Sequence, residues 1–386
     1  MGRSEPLADG TRVLHIGPPK TATTSVQAAI HAARAELAEH GIAYAGRTRH
    51  SRAPATAIAR ENLGFEFTPA ALKKWDKLAA EVRESTARIT VLSSEGLSLA
   101  NVERARKIVD DIGGSAHVVI TMRPLARMIP SIWQQRVRRG SAQSLDDYVA
   151  GIFDRDEDGR FTNAYFWGRY GLDQLVTTWA QVVGEENISV VILDPRNHDL
   201  AYHAFEDLLG VPRGVLKHEG PANESFPFAE LEVIRQFSEH YFAGGGTRKE
   251  WFKIIRQRDF REFREPGSAW LTGRKADISR DVAKRANDEV ERWIEFLDGF
   301  EGRLVGDPAD LLVDLGRYDD VVAPDQVSTA SAAQVAYAVY DATRRHAQQA
   351  EPETSAESAP MHPAYRSRVA GAKRRLSRAW AALQGR

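Results

Sequence analysis

The chain has 386 residues with 42% apolar and 9% aromatic side chains, enough for a sizeable core and, by length, for two or three domains. Its formal charge of −1 excludes a global attraction to nucleic acid or to an anionic membrane, so any basic surface has to be local. The absence of cysteine excludes disulfides and thiolate metal sites, and no apolar run reaches the ~18 residues of a membrane span.

Met1 to Thr11 is polar and lacks the apolar core of a signal peptide, which points to a cytoplasmic protein. Val13-Leu14-His15-Ile16 then reads as a buried strand. It breaks at Gly17-Pro18-Pro19 and delivers Lys20, Thr21, Ala22, Thr23, Thr24 and Ser25. A helix follows, with Val26, Ile30, Ala33 and Leu37 on one face and Gly41 past its end. Strand, tight polar turn and helix together aim backbone N–H groups and a helix dipole at a phosphate-like anion. Lys20 adds a point charge there and the hydroxyls add directional donors. An ordinary turn that happens to hold Lys and Thr is the bland alternative; the density of anion-binding groups favours the site. It is not a Walker loop, because no second glycine precedes the lysine.

Ile42-Ala43-Tyr44 reads as a second strand, residues 45–75 as a mixed segment with Arg47, Arg49, His50 and Arg52, and Lys73 to Glu84 as helix. The β-branched run from Arg88 to Leu92 is a core strand ending in Ser93-Ser94-Glu95-Gly96, which leaves a carboxylate where open α/β sheets bind ligands. A helix with Val102, Ala105, Val109 and Ile112 on one face leads to the strand Ala116 to Met122. His117 inside that strand is a core residue rather than a catalyst. Arg123-Pro124 follows at once, then a helical segment to Arg136 in which Pro130 implies a kink or restart and which carries Ser131.

Residues 140–170 read as loop, with an aromatic cluster of Phe161, Tyr165, Phe166, Trp167 and Tyr170 that suits a packing patch better than a sugar groove. Leu172, Leu175, Val176, Trp179 and Val183 give a helical stripe, Asn187 to Leu193 a further strand, and a helix runs to Gly210. Repeated βα units imply an α/β fold with a parallel sheet. From Pro221 the chain turns mostly helical. Asn223-Glu224-Ser225 opens a helix, 243–272 is a glycine-led basic-aromatic stretch with Trp251, Arg264 and Trp270, and another helix spans about 276–298. Residues 301–350 read as a helical extension and 351–364 as a Pro/Ser/Glu/Ala-rich linker. The tail 365–386 reads as a basic amphipathic helix suited to peripheral membrane contact, or as a solvated tail.

Two of these stretches resemble one known family. Pro19, Lys20, Thr21, Ala22, Thr23 and Thr24 resemble the Pro-Lys-x-Gly-Thr-[ST] loop of sulfotransferases that use 3′-phosphoadenosine 5′-phosphosulfate (PAPS), with Ala22 in place of the usual glycine. Arg123 followed by Ser131 resembles that family's 3′-phosphate motif, and Ser93-Ser94-Glu95 is similar to its carbohydrate-sulfating branch, here in a bacterial form. The resemblance covers roughly residues 12–300. It implies a P-loop-like parallel β-sheet flanked by helices, PAPS as co-substrate, no metal and no nucleic-acid partner. It also implies an acceptor hydroxyl on a saccharide or glycolipid, bound by the segments 45–75 and 140–170. Lys20 would serve the bridging oxygen and leaving phosphate. Thr21, Thr23, Thr24, Ser25 and the Ala22 N–H, after Pro19, would hold the 5′-phosphosulfate, and Arg123 and Ser131 the 3′-phosphate. Glu95 would be the general base, its pKa raised by burial, with His50 as the substitute base. The competing functions are a nucleotide-dependent kinase and a non-catalytic nucleotide-binding or membrane-tethering protein.

Overall fold

The computed structural model describes residues 5–60, 69–218, 225–254 and 273–320, with scattered residues between 323 and 343. Met1–Ala338 forms one compact unit and Val339–Arg386 a second. Asn223, Glu224, Arg264, Trp270, the linker 351–364 and the tail 365–386 lie outside the described residues.

Among its described residues the first unit has six strands: β1 (Thr11–His15), β2 (Ile42–Tyr44), β3 (Ile89–Ser93), β4 (Ser115–Met122), β5 (Ile188–Ile192) and β6 (Arg303–Val305). They form one sheet in the order β2-β3-β1-β4-β5-β6 with every pairing parallel. The chain passes from β3 to β4 across β1, so the carboxyl ends of β3, β1 and β4 stand side by side. In an open parallel sheet that edge is where a ligand crevice forms. His15 is in register with Ser93 on one side and Val119 on the other, and β4 runs three residues further to Met122. The β1, β3 and β5 strands are buried along their whole length, as a sheet covered on both faces requires.

One face is covered by α1 (Thr23–Ala32), α2 (Arg34–Glu39) and a later helix, Leu200–Leu209. Val26, Ile30, Leu37, Phe205 and Leu208 meet Val13, Val91, Val119 and Val191 there in one core cluster. The helix expected to run unbroken to Gly41 is two helices joined at Ala33, with Val26, Ile30 and Leu37 all still buried. Between β2 and β4 come α3 (Arg52–Ala59), α4 (Pro69–Glu84) and α5 (Val102–Ile112), the last capped by Asn101. In α5 the buried residues are Ala105, Ile108 and Ile112, a one-residue turn of the stripe away from Val109.

After β4 the helix α6 (Leu125–Val137) passes through Pro130 without interruption. An interior proline costs about 3 kcal/mol. Burial of Leu125, Met128, Ile129, Ile132, Trp133 and Val137 offsets it, at about 1.5–3 kcal/mol for each large side chain. Residues 140–170 also depart from the sequence reading. They contain two helices, α7 (Leu145–Phe153) and α8 (Ala164–Tyr170). Each is started by a side chain that satisfies an orphan N–H: Ser144 accepts from Asp147 N at 3.0 Å, and Asn163 from Phe166 N at 3.0 Å. Then come α9 (Leu172–Val183), α10 (Leu200–Leu209), α11 (Phe228–Ala243), α12 (Arg248–Ile254) and α13 (Arg280–Asp298). The sheet continues past residue 300, where a helical extension was expected. Ser189↔Arg303 through Val191↔Val305 pair β6 to β5, and Leu311, Val313 and Tyr318 are buried beyond it.

Candidate active site

Directly after β1 the backbone makes a left-handed turn. Lys20 has φ 76° and Ala22 has φ 59°, and among the described residues these are the non-glycine residues with positive φ. An L-residue pays about 1–2 kcal/mol for that conformation, so two in one loop mark a site held by its surroundings. Ala22 is the N-cap of α1 and has no side chain to offer as a cap. Ala22→Gly is therefore expected to raise stability by about 0.5–1 kcal/mol, read as a higher denaturant midpoint at unchanged slope. A lower midpoint would contradict the left-handed turn.

Four buried groups hold the loop from below. Ser93 Oγ meets His15 Nδ1 at 2.8 Å, His15 Nε2 meets Thr121 Oγ1 at 3.3 Å, and Thr121 Oγ1 meets Thr21 Oγ1 at 2.8 Å. Thr21 also donates to the Pro18 carbonyl at 2.7 Å. The chain of contacts ties β3, β1 and β4 to the turn. Gly17 passes so close that a Cβ there would run into Thr121 Oγ1 and stand 3.0 Å from His15 Nε2. The Thr21 hydroxyl is thus committed to the interior and fully buried, a supporting part rather than an outward-facing donor. Thr23 is buried as well, Ser25 is half-buried and Thr24 is exposed. Lys20 is half-buried, and its carbonyl accepts from Arg123 Nη1 at 3.3 Å. Arg123, at the end of β4, also donates to the Arg127 carbonyl at 3.3 Å. Loop and arginine are brought together. Ser131 stands apart from them, in a cleft of about 510 Å³ lined also by Arg127, Gln134, Lys275, Arg317 and Tyr318. Arg127 and Tyr318 are close enough to Arg123 to influence its charge, which joins that cleft to the loop side of the site.

Glu95 follows β3 and lines a second cavity of about 300 Å³, into which Pro19 of the loop also faces. Its carboxylate accepts from Gln27 Nε2 at 3.4 Å, and the Gln27 Oε1 is 2.7 Å from His50 Nδ1. An amide oxygen only accepts, so His50 carries its proton on Nδ1 and the amide of Gln27 is oriented from both ends. His50 is exposed and is not in the cavity lining; it reaches Glu95 only through Gln27. Although the residue is exposed overall, the partial burial of its ring lowers the His50 pKa, the nearby Glu95 raises it, and Arg49 and Arg52 lower it, so the ring stays neutral near pH 7.

Burial pushes the Glu95 carboxyl up, as the sequence reading anticipated. A hydrogen bond from its own backbone N–H, the charge of Arg52, the Gln27 amide and the charge of Arg169 together outweigh it, and the net shift is downward. The expected rise is corrected accordingly: Glu95 is an ionised carboxylate at neutral pH, held by positive charge. Arg169 fixes the backbone at the same point, Nη2 donating to the Glu95 carbonyl at 3.3 Å.

The aromatic cluster divides between two tasks. Phe161 stacks on Trp167 at 3.8 Å between centroids, with the Arg155 guanidinium 3.7 Å from the Phe161 ring. That half is packing. Tyr165, Phe166 and Tyr170 instead line the Glu95 cavity with Tyr148 and Ile132. Gln27, Arg139 and Arg169 were not picked out from the sequence, and Arg52 and Arg136 were named there only as members of their segments. A buried glutamine interrupting the apolar stripe of α1, and an arginine four residues after Tyr165 in an aromatic run, were the available signals.

Among the described residues, no group of three or more His, Asp or Glu side chains is arranged to hold a metal ion, and no helix is long and apolar enough to cross a membrane. No family model matches the chain, and no curated protein matches it. Among solved structures it is similar to the crystal structure of a sulfotransferase from Alicyclobacillus acidocaldarius, at 15% identity and a TM-score of 0.38. The match covers 64% of this chain and 95% of that one. A likeness this distant assigns no activity.

Proposed function

We propose that the protein is a sulfotransferase that moves the sulfuryl group of PAPS to a hydroxyl of a saccharide-bearing acceptor. The observation that carries this reading is the meeting of three chemistries at one sheet edge. The strained lysine loop after β1, the carboxylate after β3 and the arginine after β4 are far apart in sequence, and the parallel topology brings them together. The donor set suits a bisphosphorylated nucleotide. Lys20 and the N-terminus of α1, with Thr23, Thr24 and Ser25, would hold the 5′-phosphosulfate. Arg123, with the Ser131 cleft beside it, would hold the 3′-phosphate.

In the transfer, the donor supplies a sulfuryl group whose S–O bond to the 5′-phosphate breaks as a bond to the acceptor oxygen forms. Glu95 takes the acceptor's hydroxyl proton, and Lys20 offsets the charge that the departing bond pair leaves on the phosphate oxygen. Gln27 and the Arg169–carbonyl contact keep Glu95 aimed into the cavity. His50 orients Gln27 rather than acting as the base. Tyr165, Phe166 and Tyr170 form the aromatic wall of the acceptor cavity beside Glu95.

Calorimetric titration without magnesium, using 3′-phosphoadenosine 5′-phosphate against AMP and ATP, tests the donor assignment. The bisphosphate is expected to bind tightest, and Arg123→Ala to weaken it by about tenfold or more, the worth of a charge-assisted hydrogen bond. Preference for ATP would replace the reading with a kinase, and no nucleotide binding would end it.

A further inference from the structure

The cavity beside Glu95 is more basic than transfer to a neutral sugar requires. Its charged lining is Arg52, Arg136, Arg139 and Arg169 against Glu95 alone. The arginines converge from separate places: Arg52 opens α3, Arg136 lies in the last turn of α6 with Arg139 just beyond, and Arg169 belongs to α8. Gathering like charges around about 300 Å³ is unfavourable unless something negative joins them.

Arg169 makes the point most directly. It is 7% exposed, its Nη1 donates to the Tyr165 hydroxyl at 3.1 Å and its Nη2 to the Glu95 carbonyl at 3.3 Å. Its Nε has no hydrogen-bond partner. A guanidinium buried at the cavity wall carries a desolvation cost that the charge of an anion in the cavity would offset. Arg136 is braced by the Tyr148 ring, 5.2 Å from guanidinium carbon to centroid, which leaves its planar fork pre-organised.

We infer that the acceptor carries an anionic group (a carboxylate, sulfate or phosphate) that this arginine cavity binds while the reacting hydroxyl lies at Glu95. The donor's own anionic groups are assigned elsewhere, to the Lys20 loop and Arg123, and of that machinery only Pro19 reaches the cavity lining. The word acceptor rests on the sulfuryl-transfer reading; the anion site does not. Binding an anion here would also offset Arg52 and Arg169, two of the groups that hold the Glu95 carboxyl down, and so return basicity to it when an acceptor is present.

The test uses the full chain saturated with 3′-phosphoadenosine 5′-phosphate and titrated with four sugars: methyl β-glucoside, methyl β-glucuronide, glucose 6-sulfate and glucose 6-phosphate. At least one charged sugar is expected to bind about tenfold tighter than the neutral one, and the best of the three identifies the anion. Arg136→Gln and Arg139→Gln should each reduce that preference while leaving bisphosphate affinity unchanged, which also reports that the variants are folded. Equal binding of all four sugars, or a preference untouched in both variants, overturns the inference with the donor assignment intact. If the bisphosphate itself does not bind, the donor assignment fails, and the same titrations on the protein alone still decide the anion site.

Discussion

Glu95→Gln is expected to lower kcat for sulfuryl transfer by about 10²–10⁴-fold, the usual contribution of a positioned general base, with the affinity for 3′-phosphoadenosine 5′-phosphate unchanged. The substitution keeps shape and hydrogen-bonding capacity, so Gln27 and Arg169 retain partners while the proton acceptor is lost. The pH profile carries an independent signature. Burial raises the Glu95 pKa, but its backbone N–H, Arg52, Gln27 and Arg169 bring it below the ordinary carboxylate value. The working form is the ionised one, so the acid limb of kcat/KM should lie below the ordinary glutamate range, and the rate should be flat through neutrality on that side. Gln27→Leu removes one of the groups that lower the pKa and is expected to move the limb upward. Full activity in Glu95→Gln would exclude it as the base and return attention to His50, whose Nε2 is left as an acceptor by the Nδ1–H bond to Gln27.

The parts of this site written in local chemistry were legible in the sequence. An apolar run broken by Gly17-Pro18-Pro19 before Lys20 reads as a strand feeding a polar turn. The repeated βα units then led to the expectation that Lys20, Glu95 and Arg123 share the carboxyl edge of one sheet. The parts that were not legible depend on tertiary context. Thr21 looks like its neighbours Thr23 and Thr24 in the sequence, yet Thr121, a hundred residues away, draws its hydroxyl inward. Pro130 reads as a break because helix propensity is local, whereas the burial of α6 that overrides it is not. The capping signals at Ser144 and Asn163 were present but short. Without them the segment 140–170 passed for loop, and with it went Arg169 and the cavity wall. The sign of the Glu95 shift was beyond reach for the same reason: burial could be anticipated from a strand end, but not the arginines of α3 and α8.

Acid is expected to unfold the protein through two histidines inside the sheet, His15 and His117. Burial pushes His15 down to about 4, with Glu95 opposing weakly, and burial followed by the charge of Arg303 pushes His117 down to about 4. In the unfolded chain both return to the ordinary value of about 6.5. Between pH 6.5 and 4 the unfolded state therefore binds protons that the native state refuses, and stability falls as pH falls. Each histidine accounts for up to about 3 kcal/mol across that window, with a slope near 1.4 kcal/mol per pH unit at its middle. Denaturant midpoints measured from pH 7 to pH 4.5 should show that slope. His117→Gln, which keeps a donor for Ser189, should remove one histidine's share; His15→Asn, which keeps one for Ser93, should remove the other. A stability independent of pH from 6.5 to 5, or variants with the wild-type slope, would refute the assignment. The two histidines differ in what they support. His117 bonds only to Ser189 between neighbouring strands, whereas His15 stands beneath the Lys20 loop and touches the Thr121 hydroxyl that holds Thr21. Protonating His15 places a charge inside that support. Nucleotide affinity should consequently decline with the His15 titration, and His117→Gln should not shift that decline.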